Sequence, residues 1–331
     1  MFIYEDTIKI VNLYYLCFNM SSESFAEIGR IGAIEKLFAG IEGKRKNNKS
    51  VVHRVMLEGI DFDLSYFPLK HLGYKAVVEV TGELYSRLCE AQSLSVILGV
   101  SSKLDFGQIE EFWSGVRVAA EEFGYSGLDL DLIPSLNGLC ISLGAVGTQA
   151  SAEFAEARSK DVICVSGALG SAFLGQQVLE NRSSELEKYK IMVADYLKPE
   201  LREHTPTHFK EAGIIPSAGC FITRGLADAL LRLKEQTGLG VKVYADKIPF
   251  EGNSFSLGKD LDIDPVSAAM NGGDDCRLLF TIPILQAEKF HKEFPTYDIV
   301  GHLALREAGA CMVTPEGIEL PVRAQGWNIE E

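Results

Sequence analysis

The sequence predicts two α/β domains in series, and three observations carry that prediction. At 331 residues the chain is long enough for about two domains of ordinary size. Short apolar runs suited to core strands alternate with stretches whose apolar residues recur at helical spacing, and they do so in both halves. Between the halves, Ala150–Lys160 is polar and alanine-rich and interrupts the alternation, which places the domains at 20–150 and 151–331. With 47% hydrophobic and 24% charged residues, there is enough apolar material for sizeable cores.

Taken in order, residues 1–19 (MFIYEDTIKIVNLYYLCFN) carry Glu5, Asp6 and Lys9 within an apolar stretch, so they fit neither a secretory leader nor a spanning helix. Met20 opens MSSESFAEIGRIGAIEKLF, with Ser before an amphipathic pattern. Met20 is therefore read as the natural start and 1–19 as an extension outside the fold; an extra amphipathic segment is the alternative. Phe25–Phe38 has helical spacing, and Gly40–Ser50 is polar, basic and turn-rich. Val51–Asp63 reads as a strand leading into a loop, Pro68–Tyr74 as a helical turn, and Lys75–Val80 and Leu94–Val100 as strands. Asp105–Phe123 reads as an amphipathic helix with Phe106, Ile109, Trp113, Val116 and Ala120 on one face, closed by Gly124. Leu139–Val146 completes the strands of the first half.

In the second half, Asp161–Gly167 (DVICVSG) is a nearly continuous apolar strand, as expected where both faces are covered. It runs into GALGSAFLG, small residues that suit either a phosphate-side turn or close packing. Helices are expected through about Gly213 and again over Phe221–Leu233. Strands are expected at Val241–Ala245, Arg277–Pro283 and Tyr297–Leu303, with a helix at Leu285–Phe294. The densest signal is Ala268–Pro283, AAMNGGDDCRLLFTIP, a tight glycine loop feeding a core strand. Asp274 and Asp275 would stand at that strand's mouth, either meeting a cation or a donor-rich substrate or forming a solvated acidic loop.

A net charge of -14 and the lack of a basic stripe beyond Lys44-Arg45-Lys46 and Lys49 argue against nucleic-acid binding, and no segment reads as a membrane anchor. The seven cysteines stand singly, without a CxxC pair, in apolar settings that suit buried thiols in a reducing cytoplasm. The histidines do not cluster at zinc-ligand spacing; His204 and His208 are four apart, but Pro206 lies between them.

Several segments, in one order from about residue 22 to 328, carry a family resemblance. LEGIDFDLSYFPLKHLGYKAVV, DVICVSGALGSAFLG, LKPELREH, IIPSAGCFITRGLADAL, NGGDDCRLLFTIP, IVGHL and AQGWN resemble the successive motifs of the thiamine-monophosphate kinases, of the aminoimidazole-ribonucleotide-synthetase-like superfamily. The resemblance implies an N-terminal α/β domain whose strands join a partner's in a dimeric barrel, and a C-terminal α/β domain. It also implies transfer of the ATP γ-phosphoryl group to thiamine monophosphate, with Mg²⁺ held by aspartates.

The sequence departs from that pattern where the metal should bind. The early Gly-Asp-Asp element falls in Gly43–Ser50, GKRKNNKS, which has no acid. Arg54 replaces the aspartate before the LEG segment, and Phe221 and Arg224 replace the two aspartates of Asp-Ile-Ser-Asp-Gly-Leu. Glu83 stands at one acid position, and the Gly-Gly-Asp-Thr-Thr loop becomes Asp129–Ile133, keeping Asp131. By resemblance, Gly167, Gly170, Arg54 and Arg224 would meet nucleotide phosphate. Asp61, Asp274, Asp275 and Trp327 would face the substrate or serve as surface and core residues. Glu83 and Asp131 would be the remaining metal candidates, alone or with Asp274 and Asp275. Two readings follow: a family member with weak or lost catalysis, or an active kinase or related phosphotransferase with a rearranged site.

Overall fold

The computed structural model of the chain describes residues 51–150, 153–181 and 186–325, with Gly32, Lys36 and Leu37. Residues 48–324 form one compact unit; a second unit, 1–47 with 325–331, is described only at those three helical positions and Gln325. The Met20 start, the Gly43–Ser50 stretch and Trp327 lie outside the described residues.

The first sheet is built from β1 (Val51–Leu57), β2 (Cys89–Ser101), β3 (Gly127–Ser135) and β4 (Cys140–Gln149), in the order β1-β4-β2-β3. β2 and β3 run parallel, which requires a crossover, and the helix α2 (Phe106–Glu122) supplies it. Asp105 starts α2 with a capping box: its carboxylate accepts from Gln108 N at 2.9 Å, and Gln108 Oε1 accepts from Asp105 N at 3.0 Å. β4 is antiparallel to both β1 and β2.

The second sheet has seven strands in the order β11-β10-β7-β9-β5-β8-β6: β5 (Val162–Ser166), β6 (Ala218–Ile222), β7 (Gly240–Tyr244), β8 (Arg277–Ile282), β9 (Tyr297–Ala304), β10 (Ala310–Val313) and β11 (Glu319–Pro321). Both sheets are mixed, since β7–β10 is parallel and the other pairings of this sheet are antiparallel. The helices that bear on the site are α3 (Ser171–Asn181), α4 (Lys190–Leu197), α5 (Thr205–Glu211), α6 (Gly225–Thr237), α7 (Ser254–Leu261) and α8 (Pro265–Asn271). The two sheets fall on either side of Ala150–Lys160, yet one core cluster draws on both, from Val52 and Leu98 to Phe221 and Phe280.

Three expectations are corrected. The strand expected at Lys75–Val80 and the turn before it form one helix, α1 (Leu69–Tyr85). Lys-Ala-Val-Val-Glu-Val reads as a strand because its β-branched residues favour one. It is helical because the segment is enclosed on nearly every side, and a helix apolar all round is stable only when buried. Glycine lets its neighbours come close: a Cβ on Gly73 would lie 2.1 Å from Phe112 O, and one on Gly115 of α2 would lie 1.9 Å from Lys70 O. At the other end of α1, a Cβ on Gly82 would meet the Phe221 ring at 2.2 Å.

The second correction is at Phe221, expected to open a helix. It sits in β6, whose five residues are all buried, and α6 starts only at Gly225, where the chain turns at φ +84°. The third is Asp129–Ile133, expected as a loop. Its Asp-Leu-Asp-Leu alternation has the period of a strand, and it pairs along β2 as β3. The amphipathic face expected for α2 is shifted: Ile109, Phe112, Val116 and Ala120 are buried, but Phe106 is exposed.

The α1–α2 crossing yields a stability prediction. Gly115→Val should lower unfolding free energy by roughly 1–3 kcal/mol through overpacking, read as an earlier midpoint in denaturant unfolding, whereas Gly107→Ala, whose nearest contact is only a flexible Asp105 oxygen at 3.3 Å, should be near neutral.

Candidate functional site

The site is organised by one row of charges on α1. Lys75, Glu79 and Glu83 are four residues apart, so they share a helix face. That face looks into the junction between the sheets, and each member meets a partner from a different element.

Lys75 is fully buried, its ammonium 3.2 Å from Asp274 Oδ2 in the loop before β8 and 4.0 Å from the centre of the Tyr196 ring. Glu79 Oε2 accepts from Arg54 Nε of β1. The other side of that guanidinium donates to Asp61 Oδ1 at 3.0 Å, and Asp61 Oδ2 accepts from Leu57 N at 2.8 Å. Burial raises the pKa of Glu79, with Arg54 opposing. For Arg54 burial is the largest influence and lowers the pKa, but Glu79, Asp61 and Asp274 together outweigh it, so the guanidinium stays charged. Glu83 accepts from Arg232 of α6 at 2.7 and 3.0 Å and from Arg87 at 3.0 Å. Burial alone would raise its pKa; the two arginines override that and hold it at about 2.

A second network lies at the start of α3. Asp275 is buried and accepts from Gly170 N at 2.9 Å and Ala172 N at 3.4 Å. Burial, opposed chiefly by the Gly170 bond, pushes it up to about 7. Arg277 donates to Asp195 at 2.9 Å, to Glu200 O at 3.2 Å and to Ala168 O at 3.3 Å. Ser171 Oγ donates to Asp195 at 2.6 Å. The loop between α8 and β8 reaches this position through left-handed backbone at Gly273, Asp274 and Cys276.

The residues singled out from sequence are placed as follows. Arg54, Asp61 and Asp274 come together, and Asp275 meets the Gly167–Gly170 turn through the Gly170 amide. That amide is already taken by the protein's own carboxylate, and Gly167 lies against the Arg277 guanidinium. Arg224 is exposed at the start of α6, beside Gly273. Asp131 and Glu83 are not brought together. In register, Asp131 lies opposite Ile97 on the face of the first sheet turned away from α1, where it is exposed. No group of three His, Cys, Asp or Glu side chains that could hold a metal occurs among the described residues. A cavity of about 320 Å³ between the start of α2 and the end of β3, lined by Leu104, Phe106, Leu132 and Pro134, contains none of these residues.

Sequence reasoning missed Lys75, Glu79, Asp195, Arg232 and Arg277. The four-residue spacing of Lys75, Glu79 and Glu83 would have revealed the row had the segment been read as a helix.

Comparison with known proteins gives a consistent picture. No family model matches the chain. It is 25% identical over 231 residues to the thiamine-monophosphate kinase of Aquifex aeolicus, covering 69% of this chain and 74% of that protein. To the thiamine-monophosphate kinase of Methanospirillum hungatei it is 26% identical over 234 residues, covering 70% and 72%. Among solved structures it resembles AaThiL complexed with AMPPCP and TMP, with a TM-score of 0.79 and 22% identity over 93% of this chain and 99% of that one. The hydrogenase maturation protein HypE of E. coli gives a TM-score of 0.64 at 16% identity, over 83% and 86%. The chain thus resembles the thiamine-monophosphate kinases and has the aminoimidazole-ribonucleotide-synthetase-like fold.

The Glu83 cluster predicts a pH dependence. Its folded pKa of about 2 lies below the ordinary 4.5, so its stabilisation is complete above pH 4.5 and is lost as pH falls from there through 2. Glu83→Gln should flatten the stability–pH profile in that window. Arg232→Met should cost about 2 kcal/mol at neutral pH, less than the value of about 3–5 for a fully buried pair because both side chains keep some exposure. Thermal melts between pH 2 and 7 check both.

Proposed function

We propose that this chain is a thiamine-monophosphate-kinase-like ligand-binding protein with little or no phosphoryl transfer. One observation carries the reading: two of the positions where the resemblance expects metal-binding aspartates, Arg54 and Phe221, have been built into the junction. Arg54 is enclosed by Glu79 and Asp61, and the Phe221 ring is fully buried against Gly82. In-line phosphoryl transfer depends on metal ions that bridge and neutralise the β- and γ-oxygens. A planar guanidinium can pair with phosphate but cannot bridge and orient those oxygens as a metal ion does.

The ligand end of the site is better kept. Asp61 and Asp274 are partly exposed and Arg224 is exposed; Asp274 pairs with the buried Lys75, whose ammonium lies over the Tyr196 ring. The likeness to a structure complexed with AMPPCP and TMP supports a nucleotide and a thiamine phosphate as the ligands to test. The Gly167–Gly170 turn takes part through its shape, since Asp275 already occupies its leading amide.

The partner in this reading is a second copy of the chain. The face of the first sheet turned away from α1 carries Val51, Val55 and Leu57 of β1, Ile97 of β2 and Val146 of β4, each more than a third exposed. An apolar patch of that kind calls for cover, and a two-fold pairing of identical sheets supplies it. The expected setting is the cytoplasm, in keeping with the free, mostly buried cysteines; among the described residues no helix is long and apolar enough to cross a membrane.

Two measurements test the reading. In a coupled ADP-release assay with thiamine monophosphate, ATP and Mg²⁺, turnover should fall more than about a hundredfold below the roughly 1–100 s⁻¹ of ordinary kinases; rates within that range would establish an active enzyme instead. Light scattering should give twice the 36.3 kDa protomer mass, and Val55→Glu with Ile97→Glu should reduce it to one protomer.

A further inference from the structure

The carboxylates around the junction have each been given a partner from within the chain. Five cations, Arg54, Lys75, Arg87, Arg232 and Arg277, hold five acids: Asp61, Glu79, Glu83, Asp195 and Asp274. The sixth acid, Asp275, accepts two backbone amides. Mg²⁺ takes near-ideal octahedral oxygen coordination and is usually held through one or two carboxylates, waters and phosphates. A carboxylate already bonded to guanidinium groups can serve it only by breaking those bonds and leaving a partly buried arginine unpaired. Among the buried carboxylate oxygens of the described residues, Glu79 Oε1 is without a protein partner, on a carboxylate whose charge burial disfavours and whose other oxygen faces Arg54. That carboxylate is already neutralised by Arg54, so a divalent cation beside it would meet the guanidinium's like charge. The metal implied by the family therefore does not fit the described residues.

We infer that the protein has replaced the divalent cation with its own arginines and lysine, so that its junction is assembled, and its ligand bound, without metal. The positions support this as a set. Arg54 stands where the resembling motif has an acid, and its acidic partners come from other elements, Glu79 from α1 and Asp61 from the loop after β1; Arg277 of β8 is likewise held by Asp195 of α4. At Arg54 the change of sign is matched by two neighbours of opposite sign. Two of the pairs, Lys75–Asp274 and Glu83–Arg232, also tie α1 to the loop before β8 and to α6.

The inference rests on the kinase-like reading for its expectation of a metal, but its test uses the metal alone. The full-length protein is titrated with MnCl₂ without nucleotide, and free Mn²⁺ is followed by its EPR signal. The expected result is no stoichiometric binding up to about 1 mM, and no change of melting temperature between EDTA and MgCl₂, because a cation that binds the folded state would raise it by mass action. One equivalent bound, or a magnesium-dependent rise in melting temperature, would overturn the inference. Arg54→Asp supplies the converse: it frees Glu79 and Asp61 and adds a third carboxylate, so the variant should gain Mn²⁺ binding. A variant with native circular dichroism that gains none would show that something other than the ion pairs excludes the metal, and would also overturn it. If Arg54→Asp does not fold, the native titration decides. Turnover in EDTA would sink the reading of lost catalysis and leave this inference standing; Mn²⁺ binding without turnover would do the reverse.

Discussion

The structure depends on one constraint: α1 has almost no face in water. Fourteen of its 17 residues are buried, among them Lys75 and Glu79. A helix so placed must find a partner for every charge it carries, because an unpaired buried charge is strongly unfavourable. The three charged residues that stand at four-residue spacing on its inner face therefore dictate what the surrounding elements present. β1 brings Arg54, the loop before β8 brings Asp274, and α6 brings Arg232. Close backbone approach at Gly73 against α2, and at Gly82 and Gly219 against the β6 neighbourhood, lets the helix sit deep enough for those pairs to form.

The same constraint explains why the departures from the kinase pattern are coherent. Placing an arginine at position 54 beside buried Glu79 is favourable, while an aspartate there would set two buried carboxylates together unless a cation lay between them. Phe221 extends the argument to packing. Its ring fills the space over Gly82, where a side chain on α1 would collide with it. A metal-centred junction and an ion-paired, close-packed junction are two solutions to one problem of surplus negative charge, and this chain uses the second.

The Asp275 network shows the limit of reading a phosphate turn from glycines. The Gly167–Gly170 turn before α3 has the small residues a phosphate needs, but Asp275 reaches back across about a hundred positions of sequence to accept from it. The helix start is thereby satisfied within the protein, with Arg277 and Asp195 fixing the strand that carries Asp275.

Much of this was determined by the sequence alone. β1, β2, β4, β5, β7, β8 and β9 announce themselves as short apolar runs between turn residues. The Asn271–Gly273 punctuation before β8 marks the loop that carries Asp274 and Asp275, and the ordered motifs point to the fold. Local pattern failed where burial, or a motif laid over it, decided the structure. Lys75–Val80 has the composition of a strand and is helical because the core encloses it. Phe221 stands in a strand because Gly225 delays the helix, and Asp129–Ile133 alternates as a strand but was expected as a loop from its motif position. Tertiary structure alone decided which charges meet. Arg54 finds Glu79 across 25 positions and Glu83 finds Arg232 across 149, and pairs so far apart in sequence leave no local periodicity from which they could be read.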